Sequence, residues 1–207
     1  MTTLTTEHAR AWADRFVAVG AERDSELTEL DRQAGDGDYG TNLRSALRRA
    51  AVNLSAGADS PHEVFLAVSE AFLNTGGTSG PLFGMWFREF AKAAKERDVT
   101  AAVLGEAATN AVAVVQRLGK AEVGHKTMVD AMVPAAEALS AAAARGATVS
   151  DALAEAASAA HAGAASTEKL LAKRGRASYV GEHARGVIDP GALTVAYFFD
   201  AAAPSQG

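Results

Sequence analysis

The sequence predicts an all-α protein built as an antiparallel bundle, and two kinds of signal carry this prediction. One apolar seam recurs at helical intervals of four, three, four and three residues: Leu104, Ala108, Ala111, Val115 and Leu118. A helix start is signalled where Ser60-Pro61-His62-Glu63 combines a serine cap, proline at the first helical position and glutamate three residues after the cap. The alternation of apolar and polar residues that indicates strands is hard to find.

Eight helices are predicted in order, with ends placed to within about two to four residues. They lie near residues 4–20, 40–56, 61–75, 81–96, 100–118, 127–145, 149–173 and 191–202. The seventh begins at a weaker capping signal, Thr148 to Asp151. The alanine-rich region 132–166 is interpreted as packed helix, because alanine is the best helix former and lets neighbouring helices approach closely. Pro134 falls inside the sixth helix and is expected to kink it.

Length and composition favour one domain over residues 1–207, with 48% hydrophobic residues to form a single core. The sequence has no cysteine, which excludes disulfides and thiolate chemistry and fits a reducing compartment, so we expect a cytoplasmic protein. The N-terminal residues lack the apolar core of a secretory segment, and no apolar run reaches the ~18 residues of a membrane span. Net charge is −5 and basic residues are scattered, so neither membrane nor nucleic acid is an expected partner.

The segment Leu30–Asn42 places three carboxylates, Asp31, Asp36 and Asp38, among glycines just before a predicted helix. Carboxylates this close repel one another, so the arrangement makes physical sense mainly if a hard cation lies between them. Oxygen ligands without histidine or cysteine indicate magnesium or calcium rather than zinc.

Magnesium is favoured because the calcium-loop pattern fails in this segment. Gly40 stands where the third oxygen ligand should fall, and Thr41 occupies the glycine position. Magnesium usually takes one or two protein carboxylates and leaves its other positions to water and phosphates, so three aspartates suit two ions. The alternative is an acidic, solvated turn in which Asp38 or Asn42 caps the next helix.

Two other glycine-bearing segments are candidate phosphate sites. Thr75–Pro81 opens onto a helix start, where free N–H groups favour an anion and Thr78 and Ser79 add hydroxyls; a capped turn is the alternative. Gly119–Thr127 nearly matches a P-loop, but that motif follows a β-strand and this segment follows the helical seam, so the P-loop interpretation is rejected. Lys126 near a ligand remains a hypothesis.

The last long loop, Arg174 to Gly191, carries arginines suited to phosphate and ends in an Asp-Pro-Gly turn; a basic surface loop is the alternative. Four histidines have no partner at a motif spacing and are interpreted as exposed or structural: His8, His62, His161 and His183. The sequence contains neither a nucleophile elbow nor a zinc-binding histidine pair of the H-E-x-x-H type.

In chain order, five of these segments resemble the nucleotide-binding L subunit of dihydroxyacetone kinases: LDRQAGDGDYGTN, GGTSGPLFG, GHKTMVDAMVPA, GRASYVGE and DPGA. The resemblance runs from about Leu30 to Ala192 and implies a closed barrel of eight antiparallel helices. It implies that Asp31, Asp36 and Asp38 hold two Mg²⁺ ions on bound ADP or ATP. It places these residues around the nucleotide: Tyr39, Gly40, Thr41, Asn42, Thr78, Ser79, Gly119, Met128, Arg176, Asp189, Pro190 and Gly191.

The resemblance also implies a separate K-type subunit that holds a small ketone covalently and supplies the base, so no catalytic residue is expected on this chain. The phosphoryl donor is either a phosphotransferase-system protein (DhaM-like) that rephosphorylates bound ADP, or free ATP. Two alternatives stay open. One is a non-catalytic nucleotide sensor that docks on a regulator, and the other is a kinase subunit for a related ketose such as erythrulose.

The sequence departs from the family pattern at three places near the expected site. The family often has histidine where Tyr39 stands and aspartate where His125 stands, and commonly differs around His183, Arg185 and Val187. Because aspartate is a natural helix cap, His125 is expected to loosen that turn or to reshape the phosphate side.

Overall fold

The computed structural model describes residues 1–77 and 79–203 of the 207-residue chain. Within these ranges the α-helices are α1 (Thr6–Glu22), α2 (Asp24–Ala34), α3 (Tyr39–Ser55), α4 (Pro61–Leu73), α5 (Ser79–Ala93), α6 (Ala101–Gly119), α7 (Val129–Ala144), α8 (Val149–Ser166), α9 (Ala177–Val180) and α10 (Pro190–Asp200). Short 3-10 turns follow α8 and α9, at Thr167–Lys169 and Gly181–Ala184. The described residues contain no β-strand, so the all-α prediction is confirmed.

The long helices form a closed ring in which each packs against the next along the chain. Most of their connections are short, which makes neighbours antiparallel, whereas a longer segment joins α8 to α10. Helix α10 closes the ring by packing against both α8 and α1. Helix α10 is buried on all sides. Its Phe198 lies within an aromatic core and contacts Trp12 and Trp86 at ring-centroid distances of 4.5 and 5.0 Å. Among the described residues, no helix combines the length and apolar composition needed to cross a bilayer.

The eight predicted helices correspond to α1, α3 to α8 and α10, whereas α2 was not predicted. The buried stripe of α2 consists of Leu27, Asp31 and Ala34, which is one residue per turn and includes a carboxylate. So narrow a stripe gives little apolar periodicity, and α2 was therefore missed. Helix α8, the seventh of the predicted helices, ends earlier than predicted, at Ser166. The Thr167 hydroxyl donates to the Ala164 carbonyl there, and the chain then turns.

Pro134 lies inside α7, as the sequence predicted. It packs beside Gly163 of α8, where the two helices approach closely. The kink expected at Pro134 stays a prediction.

One end of the barrel, here called the capped end, is where α1, α4, α6 and α8 begin. Each of these helices starts with a serine or threonine whose hydroxyl accepts an N–H from the first turn: Thr5, Ser60, Thr100 and Thr148. The N-terminal residues tie this end together, because Leu4 N–H donates to Val99 O (2.8 Å) and Val149 N–H donates to Met1 O (2.9 Å). The opposite end, where α3, α5, α7 and α10 begin, is here called the open end.

Candidate functional site

A cavity of about 370 Å³ lies at the open end and brings together most of the predicted site residues. Twelve of the fifteen predicted residues line it: Asp31, Asp36, Asp38, Tyr39, Asn42, Ser79, Gly119, Met128, Arg176, Asp189, Pro190 and Gly191. A volume of this size suits a small-molecule ligand.

Three predicted residues are not among those lining the cavity. Gly40 is buried against α2, where an added side chain would meet Thr28 and Asp24. Thr41 is exposed at the start of α3. Thr78 lies outside the described residues.

The acidic side of the cavity is built from the end of α2 and the start of α3. Asp31 is 8% exposed, and its Oδ2 accepts the backbone N–H of Tyr39 at 2.9 Å. Burial raises the pKa of the Asp31 carboxyl; the Tyr39 hydrogen bond opposes that shift, and the nearby charge of Asp36 adds to it. Asp36 in turn accepts from the Arg176 guanidinium at 2.5 Å.

The alternative in which Asp38 caps the next helix is not what the structure shows. Asp38 occupies the position before α3, but its side chain makes no capping hydrogen bond. Among the described residues, no group of three or more histidine, cysteine, aspartate or glutamate side chains converges in a metal-binding arrangement.

The acidic residues nevertheless fit a divalent cation by the chemistry of their donors. A buried Asp31 carboxylate, destabilised by burial and by Asp36, lies in the cavity wall beside two further carboxylates. A hard cation bound here would relieve that repulsion and replace the contact of Arg176 with Asp36.

The phosphate-binding potential of the cavity comes from helix starts. Helices α3 and α7 begin at its wall without a side-chain cap, because Asp38 does not turn back and Met128 has no hydroxyl. The Tyr39 N–H already donates to Asp31 Oδ2, and the Val129 N–H donates to Thr127 Oγ1 at 3.2 Å. The positive dipole ends of the two helices, rather than free N–H groups of their first residues, would therefore favour an anion. Helix α10 is capped, since Asp189 Oδ2 accepts Ala192 N–H at 2.8 Å.

Three charged groups lie together behind this wall. Lys126 is 1% exposed, and its Nζ donates to the carbonyl oxygens of Thr167 and Val187, both at 2.5 Å. Burial raises the pKa of Asp189 to about 7, although the Ala192 N–H and the Lys126 charge oppose this shift. Asp130 accepts from Gly124 and Thr127 N–H groups (2.5 and 2.8 Å). Lys126 borders the cavity, but its ammonium is directed at backbone carbonyls, so its nearness to a ligand stays a hypothesis.

The cavity also has an apolar wall, and most of its residues were not predicted as site residues. It consists of Leu82, Val115, Ala121, Met128 and Val129. Val115 belongs to the apolar seam that predicted α6, but periodicity does not separate a residue facing a cavity from one facing the core.

The comparisons with known proteins agree with this geometry. Residues 33–204 match the DAK2 domain family. The chain is 36% identical over 189 residues to the ADP-binding subunit DhaL of the PEP-dependent dihydroxyacetone kinase of Escherichia coli K12, covering 90% of both chains. This chain belongs to the DhaL family. The resemblance given by its motifs is thereby confirmed.

Longer kinases contain a similar unit. The chain superposes on the crystal structure of the dihydroxyacetone kinase from C. freundii in complex with AMP-PNP and Mg²⁺ with a TM-score of 0.71 and 27% identity, covering 100% of this chain and 35% of that one. It is also 36% identical to L-erythrulose 1-kinase of Mycolicibacterium smegmatis, over 91% of this chain and 34% of that protein. The chain thus spans about a third of these two enzymes.

Two of the departures from the DhaL pattern, Tyr39 and His125, have structural explanations. The Tyr39 hydroxyl donates to Thr194 Oγ1 at 2.8 Å, so the phenol is anchored inside the barrel, and its burial raises the pKa of Tyr39. The turn at His125 is not loose, since its Nδ1 accepts Glu122 N–H at 3.2 Å and its own N–H donates to Glu122 O at 3.1 Å. The imidazole therefore caps a loop N–H as an aspartate would.

The other histidines lie away from the cavity, in keeping with their interpretation as exposed or structural. His8, His62 and His183 make local or backbone hydrogen bonds. His161 has a partner that its sequence position did not reveal, because Asp200 of α10 lies 2.6 Å from its Nε2.

Proposed function

We propose that this chain is the nucleotide-binding subunit of a dihydroxyacetone-type kinase, and that it transfers a phosphoryl group to a small ketone held on a separate K-type subunit. The observation that carries the proposal is the open-end cavity, which joins an acidic wall, uncapped helix starts and an apolar wall. The names of its relatives, an ADP-binding subunit and a kinase complexed with AMP-PNP and Mg²⁺, support the same ligand chemistry.

Each wall of the cavity has a distinct role in this proposal. Asp31, Asp36 and Asp38 would hold Mg²⁺, as two ions in the full site, which neutralises phosphate charge during transfer. The starts of α3 and α7 would bind phosphate oxygens, and the apolar wall suits a planar base. The remaining predicted residues, including Thr78, stay proposed nucleotide contacts. The base for the ketone hydroxyl is assigned to the partner.

Exposed apolar residues around the open end support docking of a partner there. Tyr179 in α9, Val123 in the loop after α6 and Leu118 in the last turn of α6 are 88, 58 and 51% exposed. The segments that carry them border the cavity. These segments touch, since Arg174 Nε donates to Lys120 O at 2.6 Å. Exposed apolar side chains grouped in this way are typical of an interaction surface.

We assign the phosphoryl donor to a phosphotransferase-system protein that rephosphorylates bound ADP in the cytoplasm. The PEP-dependent relative from E. coli supports this choice over exchange of free ATP. Mass analysis of the purified protein tests it, because ADP that co-purifies with the chain is expected only if the nucleotide stays bound. Protein that purifies without nucleotide would favour free ATP.

The central test combines the purified chain with its K-type partner, nucleotide, Mg²⁺ and either dihydroxyacetone or erythrulose. We expect Asp36→Ala to lower formation of the phosphate ester by roughly a hundredfold or more. Asp14→Ala on α1 is the matched control, since Asp14 is exposed and pairs with nearby Arg10. Unchanged turnover in Asp36→Ala would overturn the assignment.

The same assay separates the alternatives. Preference for erythrulose would assign a related ketose, which the similarity to L-erythrulose 1-kinase makes worth including. Nucleotide binding without any partner-dependent turnover would instead indicate a non-catalytic sensor.

A further inference from the structure

Residues 168–187, here called the bridging segment, connect α8 to α10 across one side of the cavity. The segment carries Arg174 and Arg176, which line the cavity. Its two ends meet at its base, because Gly186 N–H donates to Glu168 O at 2.8 Å. Asp189 N–H also donates to Thr167 Oγ1 at 2.9 Å, just outside the segment.

Lys126 reaches this base from a different loop. Its Nζ donates to the carbonyl oxygen of Thr167, just before the bridging segment, and to that of Val187, its last residue. These contacts join residues 41 and 61 positions away in sequence. Without the ammonium, both carbonyls would lose a charged donor in a buried position.

The backbone and surroundings of Lys126 fit a structural use of its charge. Its φ of 59° lies in the left-handed region, which a non-glycine residue keeps only when its surroundings hold it there. Asp189, Asp130 and Glu168 are the carboxylates that support its charge against burial. The ammonium thus belongs to a defined network of carbonyls and carboxylates.

The rest of the bridging segment packs apart from the barrel core. Its Ala184 and Val187 form a separate small apolar cluster with Ala34 of α2. Arg176 extends from the segment to Asp36. A segment with its own small cluster and a narrow base can open as a local unit, so the base contacts control how readily it does so.

We propose that Lys126 is a positioning residue: it holds the two ends of the bridging segment together, and thereby keeps Arg174 and Arg176 at the cavity and slows nucleotide release. It does not bind phosphate itself. The effect on release rests on the proposed function, whereas the effect on the segment rests on the contacts alone.

Hydrogen exchange of the nucleotide-free chain, followed by mass spectrometry, tests the effect on the segment. Lys126→Met is expected to speed exchange of the amides of Gly186 and Asp189 by about tenfold or more, while α4 and α5 exchange as in the wild type. Lys120→Met is the matched control, because Lys120 lies in the same loop, is exposed and also has a positive φ, 48°. Wild-type exchange across residues 167–189 in Lys126→Met would overturn the proposal.

Release of a fluorescent ADP analogue from the Mg²⁺-loaded protein tests the second effect. We expect dissociation from Lys126→Met to be about tenfold faster, with Lys126→Arg between it and the wild type because arginine keeps a charged donor. A lysine that bound phosphate directly would leave exchange in the nucleotide-free protein unchanged. If the wild type binds no nucleotide, the proposed function fails. The exchange result still shows whether Lys126 holds the two ends of the bridging segment together.

Thr167→Val covers the case in which Lys126→Met does not fold. It removes the acceptor of Asp189 N–H while leaving Lys126 in place. We expect faster exchange at Asp189 in this variant, by roughly threefold or more. Wild-type exchange at both Asp189 and Gly186 in Thr167→Val would also overturn the proposal.

Discussion

The two ends of the barrel treat the same backbone groups differently. At the capped end, hydroxyls of Thr5, Ser60, Thr100 and Thr148 satisfy N–H groups in the first turn of four helices. At the open end, α3 and α7 begin without a side-chain cap. The first N–H groups of these two helices are bound instead by Asp31 Oδ2 and by Thr127 Oγ1, outside the cap position. The positive dipole ends of α3 and α7 border the cavity and favour an anion, whereas the hydroxyl caps at the opposite end stabilise the fold.

Charge follows the same division. Near the capped end, Arg97 pairs with Glu106 at 2.9 Å in an exposed and balanced contact. At the open end, burial raises the pKa values of Asp31 and Asp189, so both carboxylates are held in an environment that disfavours their charge. Such groups mark functional sites, where stability is given up for binding.

The largest expected effect is that of Asp31→Asn, which should separate activity from stability. The amide oxygen can still accept Tyr39 N–H, but it is a poor magnesium ligand, so partner-dependent turnover is expected to fall roughly a thousandfold. The free energy of unfolding at neutral pH should stay the same or rise, because a disfavoured buried charge is removed. Urea denaturation and the kinase assay measure the two quantities.

A loss of stability together with activity in Asp31→Asn would show that the open end is not strained by its charge. Asp14→Asn on α1 serves as a control for removal of an exposed carboxylate.

The next largest effect is expected for a substitution at Gly163, which tests how closely α8 must pack against the first turn of α7. An added methyl group at Gly163 would overlap the carbonyl oxygen of Asp130, in the first turn of α7. Asp130 is the residue whose carboxylate accepts the N–H groups of Gly124 and Thr127. We therefore expect Gly163→Ala to lower the free energy of unfolding by about 3 kcal/mol.

Gly146→Ala is a poor control for this substitution because its φ is 75°, so Ala157→Ser on α8 is preferred. A loss of unfolding free energy below about 1 kcal/mol for Gly163→Ala would mean that α7 and α8 can move apart to accommodate the methyl group.

Asp189 makes the open end sensitive to pH. Burial raises its pKa from 3.8 to about 7, so the folded state holds a proton that the unfolded state has lost between these values. The stability contributed by this proton is complete below pH 3.8, falls as pH rises, and is lost above about 7. Asp189→Asn keeps the cap on α10 but has no carboxyl group to titrate. The free energy of unfolding of the wild type should therefore fall by on the order of 2 kcal/mol over this pH range, and that of the variant should not.

Urea denaturation of both proteins across pH 4 to 8 measures how the free energy of unfolding of each depends on pH. Parallel stability curves for the wild type and Asp189→Asn would exclude Asp189 as the titrating group.

The sequence predicted most of the fold because helical periodicity and capping are local. The few residues after Ser60 and after Thr148 were enough to predict the helix starts that the structure has there. Helix α2 was missed because one of its three buried residues is Asp31, whose burial serves the cavity. Local pattern cannot recognise a stripe that is polar for a functional reason.

The site was predictable where polar residues and glycines gather, and unpredictable where contacts are distant in sequence. Asp31, Asp36 and Asp38 line one cavity, while their role as magnesium ligands stays a prediction. The carbonyl partners of Lys126 lie 41 and 61 residues away, so its sequence position suggested a ligand contact and gave no sign of a clamp.

The smallest expected effect is the most direct test of the two-end comparison, because it removes one N-cap residue at each end. Ser60→Ala removes the acceptor of Glu63 N–H and should lower the free energy of unfolding by about 1 kcal/mol, with turnover unchanged. Asp38→Ala removes a residue that makes no capping hydrogen bond, so it should leave stability unchanged and lower turnover. Equal stability losses in the two variants would mean that Asp38 caps α3 in solution, and the open end would then not differ from the capped end in how its helices begin.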